Sequence, residues 1–262
     1  MAFVVAAAAA VLVGVVAIAV VFGGSAGREP TGREPSEQAA AREVSPTASP
    51  EPITTAPPGQ TGAPEAAPRT IPVSVLSDSH AYFAASWWRQ TVEANAVEGV
   101  SMGAFASQPG AVASTIASGL DEAAAAAPNG FVLVQAGTND LLSGSVPAQA
   151  AVDIQALWAG VLARGSTPVA VLVPPSSEVG AEVIELNRLL VDEARLEGIA
   201  VLDVYTPVAD VDGGWQAGMS DDGKHANLAG ATLQAGAVLA QLPGILADRL
   251  DRQSGDASNE PK

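Results

Sequence analysis

The sequence predicts an α/β domain, a three-layer αβα sandwich built on a mostly parallel five-stranded sheet. Three observations point there. Short apolar runs rich in β-branched residues occur at 71–76, 97–102, 131–135, 167–173 and 199–204. Stretches with helical character, at 81–94, 111–127, 147–163, 179–197 and 228–250, alternate with them. The apolar runs also lack a strict apolar/polar alternation, as expected of strands buried on both faces. Alternating strands and helices imply right-handed crossovers and helices on both sides of the sheet. Ligands in such a sheet bind at the carboxyl ends of the strands, so the residues just after each run carry the most information.

The domain is expected to span residues 71–250 of a 262-residue chain. Ahead of it, residues 3–22 form an apolar stretch of 20 residues without charge or proline. That is long enough to cross a hydrocarbon core of about 30 Å, so residues 1–26 read as a transmembrane anchor. A cleaved signal segment is the alternative, since Gly24-Ser25-Ala26 offers small residues for cleavage. Residues 27–70 contain nine prolines and few large apolar side chains. Such a segment buries too little surface to offset its conformational entropy, and it reads as a disordered tether. Residues 251–262 read as a polar, frayed tail. Together these features place the domain outside a membrane as a single-pass protein, or secreted if the leader is removed. The folded domain is expected to be monomeric.

Composition narrows the chemistry. The chain has 12 Lys+Arg against 28 Asp+Glu, a net charge of -16, with no basic cluster. A surface this acidic repels phosphate backbones, which argues against nucleic acid as a partner. Cysteine is absent, and there are only two histidines. Thiolate nucleophiles, disulfides and thiolate metal sites are therefore excluded, and a histidine-rich metal centre is disfavoured. No metal or cofactor is expected. Hydrophobic residues make up 48% of the chain but aromatics only 4%, so the core should be built from Ala, Val and Leu.

Three polar clusters follow predicted strands: Ser77-Asp78-Ser79-His80, Gly137-Thr138-Asn139-Asp140, and Asp222-Gly223-Lys224-His225-Ala226-Asn227 before the last helix. Their order and strand-end placement resemble the SGNH/GDSL hydrolases. Those proteins carry a GDS-type nucleophile turn, an oxyanion glycine, a GxND segment and a late DxxH. Here Gly137–Asp140 fits GxND and Asp222–His225 fits DxxH. The resemblance covers nearly the whole globular part and implies a flavodoxin-like sheet and a serine esterase. It implies Ser79 as nucleophile, His225 as base and Asp222 as the group that orients it. The oxyanion would be held by the backbone N–H of Ser79, a glycine N–H and the Asn139 amide. A serine hydroxyl needs such a base to become nucleophilic, and the developing oxyanion needs fixed donors.

Gly103 and Gly110 both follow the second predicted strand. Pro109-Gly110-Ala111, which opens a helix, fits the oxyanion segment better. His80, Trp215 and Met219 are candidates for lining a substrate pocket, while Trp87 and Trp88 read as helix-to-sheet packing. Asn227 stands where a helix N-cap should precede Leu228, and Asp140 reads as a loop brace. The sequence departs from the family at Ser77, which replaces the leading glycine. Ser77 is also the best support for a second reading, a non-catalytic glycan- or partner-binding surface module. Acyl transfer by the same triad is a third. The substrate of the esterase would be an acylated cell-wall glycan or a small lipid ester. Gly23-Gly24-Ser25-Ala26-Gly27 matches the G-x-S-x-G pattern but lacks the strand and helix that motif requires.

Overall fold

The computed structural model describes residues 70–257, with side chains described to residue 248. The expected membrane span, the tether and the Gly23–Gly27 segment lie outside the described residues. Five strands, β1 (Ile71–Ser77), β2 (Val100–Ser107), β3 (Phe131–Gln135), β4 (Thr167–Val171) and β5 (Ala200–Leu202), form one sheet in the order β2-β1-β3-β4-β5. Every pairing is parallel. This is the doubly wound order in which connections leave β1 and β3 in opposite directions, opening a crevice at their carboxyl ends.

Side chains alternate between two cores. Val132 and Val134 of β3 enter one, with Ile116, Ile154, Trp158, Leu186 and Leu190. Those residues belong to α3 (Ala113–Ile116), α6 (Pro147–Leu162) and α7 (Gly180–Glu197). Phe131 and Leu133 enter the other, with Trp87, Trp88, Val238, Leu242 and Leu246 from α2 (Trp87–Gln90) and α8 (Leu228–Ala257). Both tryptophans are fully buried, as their predicted packing role requires. The segment Leu228–Asp248 of α8 is long and apolar enough to cross a membrane by composition. Val238, Leu242 and Leu246 nevertheless spend that apolar face on the sheet.

Several expectations are corrected. The second strand begins at Val100 rather than residue 97, because Gly99 turns with φ +73°, and it runs on to Ser107. Gly103 reads as a terminator in sequence but lies inside this strand. A Cβ there would sit 2.4 Å from the Ser74 hydroxyl oxygen, so the glycine lets β2 approach β1. The helix expected over 81–94 is two short ones, α1 (Ser79–Tyr82) and α2. Ser86 breaks it, donating from Oγ to the Ala81 carbonyl at 2.7 Å while accepting from the Arg89 N–H at 3.4 Å as the α2 cap. The helix expected over 111–127 is α3, a 3₁₀ turn at Ala117–Gly119, and α4 (Leu120–Ala125). A short unpredicted helix, α5 (Thr138–Leu142), follows β3, and α8 continues past its expected end at Leu250.

Candidate active site

The nucleophile turn begins where β1 leaves the sheet. Ser77 is the last strand residue, fully buried and in register with Ser107 on one side and Gln135 on the other. It has ordinary strand backbone, without the positive φ that would call for glycine. Asp78 caps α1 by accepting the His80 N–H at 3.0 Å. Ser79 is thereby the first residue of the helix, and its own N–H has no intrahelical acceptor.

Ser79 Oγ lies 2.9 Å from His225 Nε2, and His225 Nδ1 lies 2.8 Å from Asp222 Oδ2. The second carboxylate oxygen of Asp222 accepts the backbone N–H groups of Lys224 at 2.8 Å and His225 at 2.7 Å. Partial burial works against the charged carboxylate, but these bonds outweigh it and hold Asp222 well below the usual carboxylate range. The loop is clamped from several sides. Gly223, with φ +74°, accepts the Ser177 N–H at 2.8 Å and donates to Ser220 Oγ at 2.9 Å. Lys224 pairs with Glu178 at 2.9 Å, tying the loop to the segment ahead of α7. Asn227 caps α8, accepting the Gly230 N–H at 3.1 Å, as its position in the sequence suggests.

The remaining groups come from the neighbouring strand ends. Gln108-Pro109-Gly110-Ala111 forms a turn closed by the Ala111 N–H on the Gln108 carbonyl at 3.1 Å. Pro109 and a glycine with φ +76° stand at the two central positions, as a type II turn demands. Gly110 thus sits in the loop at the end of β2, whereas Gly103, its rival in the sequence, is within the strand. The Asn139 amide donates to the Ala111 carbonyl at 3.0 Å and lies 3.5 Å from Asp78 Oδ2. One side chain therefore links the Gly110 turn to the Ser79 turn. Asp140 accepts the Ala113 N–H with both oxygens, at 3.2 and 3.1 Å, and so braces the start of α3. Gly137 precedes them with φ +127°, where a Cβ would meet Leu186 at 2.7 Å. Both backbone and space demand glycine there.

The predicted pocket residues separate. His80 is only 7% exposed, and its Nε2 is 3.0 Å from Thr138 Oγ1. Burial, then the nearby His225, lowers its pKa to about 3, leaving a neutral ring packed 5.4 Å from that of His225. Its polar tip is engaged with Thr138 rather than offered to a ligand. Trp215 is 8% exposed in a loop that bridges back to Ala209, so it packs the loop. Met219 lines a cavity beside the DxxH loop. Two neighbours escaped the sequence reading. Phe83 meets the His225 ring edge-on at 4.7 Å, and its only signal was an exposed aromatic four residues after Ser79. Asp78 is almost completely buried, and desolvation pushes its carboxyl up to about 7 despite the His80 N–H bond. The N-cap position was its signal.

Comparison with known proteins bears on the fold and the family. No curated protein matches the chain. Several solved structures share the fold. A member of the lipolytic protein G-D-S-L family from Veillonella parvula superposes with a TM-score of 0.57 at 19% identity, covering 65% of this chain and 97% of its own. Est24, a carbohydrate acetylesterase from Sinorhizobium meliloti, gives 0.57 at 15% identity, with 67% and 100% covered. An aryl esterase from M. smegmatis gives 0.54 at 15% identity, with 67% and 99% covered. The model of the GDSL-like lipase/acylhydrolase family matches residues 73–233, more than half of the chain. The chain belongs to the GDSL-like lipase/acylhydrolase family.

Proposed function

We propose that this protein is a serine hydrolase of carboxylic esters. The observation that carries the reading is the continuous relay from Ser79 Oγ through His225 to Asp222, at 2.9 and 2.8 Å. In this reading Ser79 Oγ attacks the ester carbonyl while its proton passes to His225 Nε2. Asp222 holds the ring tautomer and stabilises the imidazolium. The carbonyl oxygen becomes an oxyanion facing the N–H of Ser79, the N–H of Gly110 and the Asn139 amide. Collapse of this intermediate breaks the bond to the alcohol oxygen, which takes the proton from His225 and leaves. Water, deprotonated by the same histidine, then releases the acid and restores Ser79. His225 thus relays the serine proton to the departing alcohol and a proton from water back to Ser79, and the cycle balances.

Ser77 was the main support for a non-catalytic surface module, and its ordinary strand backbone weakens that alternative. This reading leaves two substrate classes, acylated cell-wall glycans and small lipid esters, for a domain outside a membrane, tethered through residues 3–22 or secreted if that segment is cleaved. The full chain is expected to hydrolyse p-nitrophenyl acetate and to be labelled at Ser79 by a fluorophosphonate. Ser79→Ala should lower the rate by about 10⁴- to 10⁶-fold and abolish labelling. Equal rates for the parent and the variant would overturn the reading.

A further inference from the structure

We propose that the groove between the Met219–Asp222 loop and the first turns of α8 binds the alcohol portion of the ester, and that this portion is an uncharged apolar group. The proposal rests on the hydrolase reading above and selects between its two substrate classes. His225 returns its proton to the departing oxygen from Nε2, so the alcohol must lie on the His225 side of Ser79. Beside the His225 ring a cleft of about 250 Å³ opens between Phe83, Asp222 and His225, with Asp221, Ala226 and Asn227 completing its wall. Asp221 and Asn227 also line a second cavity of about 640 Å³, within the range of small-molecule sites. Met219, Leu228, Ala229, Thr232 and Leu233 form the rest of that cavity. The two cavities share the hydrogen-bonded pair Asp221 and Asn227 as a common wall, and a group bonded to the departing oxygen would pass that pair to reach the groove.

The chemistry of the lining sets the occupant. The side chains of Asn227 and Thr232 are committed within the protein. Asn227 donates to Asp221 Oδ1 and to the Gly218 carbonyl, both at 2.9 Å, and its own oxygen caps α8. The Thr232 hydroxyl donates to the Leu228 carbonyl at 2.8 Å. Sugar hydroxyls entering the groove beyond Asp221 would leave water without meeting an uncommitted side-chain donor. Leu228 and Leu233, by contrast, are 68% and 44% exposed and gain from being covered. The groove has no Lys or Arg in its wall, and Asp221 and Asp222 stand at its mouth, which disfavours an anionic ligand. The wall is also built rather than loose. A Cβ at Gly230 would lie 2.3 Å from the Met219 carbonyl oxygen, and the Asn227 N–H bonds that oxygen at 3.0 Å. The glycine lets Met219 seat against the helix start. An ester of an alkyl or aryl alcohol fits these features better than a glycan ester does.

Two substrate series given to the full chain test this: acetates of straight-chain alcohols from methyl to hexyl, and ethyl esters of straight-chain acids. In the alcohol series kcat/KM should rise about twofold to threefold per methylene, mainly through KM, since each buried methylene adds to binding. The acyl series should be flatter. Leu228→Ser and Leu233→Ser, both at exposed positions, should reduce the alcohol slope. A flat alcohol slope in the parent, a steeper acyl slope, or variants that keep the parent slope would each overturn the groove assignment. Any of these alongside Ser79-dependent hydrolysis of p-nitrophenyl acetate leaves the hydrolase reading standing. Absence of that hydrolysis overturns both.

Discussion

The turn carrying Ser79 and the loop carrying Asp222 and His225 meet in one hydrogen-bond relay, yet they are built in opposite ways. Residues Ser77, Asp78, Ser79 and His80 are all at most 7% exposed. Their partners come from far along the chain: Thr138 for His80, Asn139 for Asp78, Ser107 and Gln135 flanking Ser77. The Asp222–His225 loop is half-exposed and organised mostly within itself, each Asp222 contact falling within three residues. One half of the site is an outcome of sheet topology, and the other is a folded loop anchored to a helix start. The difference teaches where each half should fail: the first through the fold, the second through local chemistry.

His225→Ala is the strongest way to break the relay from the loop side. It should lower p-nitrophenyl acetate hydrolysis by about 10⁴- to 10⁶-fold, comparable with loss of Ser79, while thermal stability changes little. A large loss of stability would show that the loop supports the fold after all. On the sheet side, Asn139→Ala should cost about 10²- to 10³-fold in kcat by removing one oxyanion donor. It should also lower stability, because its amide joins the Gly110 and Ser79 turns. A change in KM alone would argue against the oxyanion role.

The two aspartates give opposite pH signatures. Asp78 moves from 3.8 up to about 7 on folding, mainly through desolvation. Between those values the folded chain keeps a proton that the unfolded chain releases. Its contribution to stability therefore falls as pH rises from about 4 to about 7. Asp222 is shifted down, so its contribution is present at neutral pH and is lost only as strong acid protonates it. Asp78→Asn keeps a capping side chain but removes the titration. Relative to the variant, the parent should lose on the order of 2–3 kcal/mol more stability between about pH 5 and about pH 7 in denaturant titrations. Parallel pH profiles would rule out a buried, proton-holding Asp78.

Ser77→Gly sharpens the comparison with the smallest effect. Because Ser77 has ordinary strand backbone, restoring the family's glycine should change kcat by less than about threefold and lower stability by about 0.5–1 kcal/mol. A large gain in kcat would mean that the serine side chain, rather than backbone conformation, restrains the site.

The same contrast explains what could be read in advance. Asp222 and His225 were legible from the DxxH resemblance, whose contacts are local: an aspartate reaches a histidine three residues on through one turn of chain. Asn227 was legible for the same reason, as a cap on the helix that follows it. The strands were legible from β-branched runs, except where Gly103 was expected just after the second strand and proved to lie within it, at a close approach between β1 and β2. The helix after Ser79 was overestimated because apolar spacing does not register Ser86 turning back to the Ala81 carbonyl. Gly110 could be preferred over Gly103 from its neighbours, but only pairing in the sheet placed Gly103 inside a strand.

The sequence by itself determined the alternation of strands and helices, the three polar clusters and the local geometry of the Asp222–His225 loop. These depend on periodicity and on contacts within a few residues. Tertiary structure alone decided the strand order β2-β1-β3-β4-β5, the meeting of Ser79 with His225, and the seating of Phe83 against that ring. It also decided which candidates face a cavity, burying His80 and Trp215 and leaving Met219 on the groove. Such contacts span from tens of residues to well over a hundred. They form only when the packed sheet has brought distant strand ends to one edge.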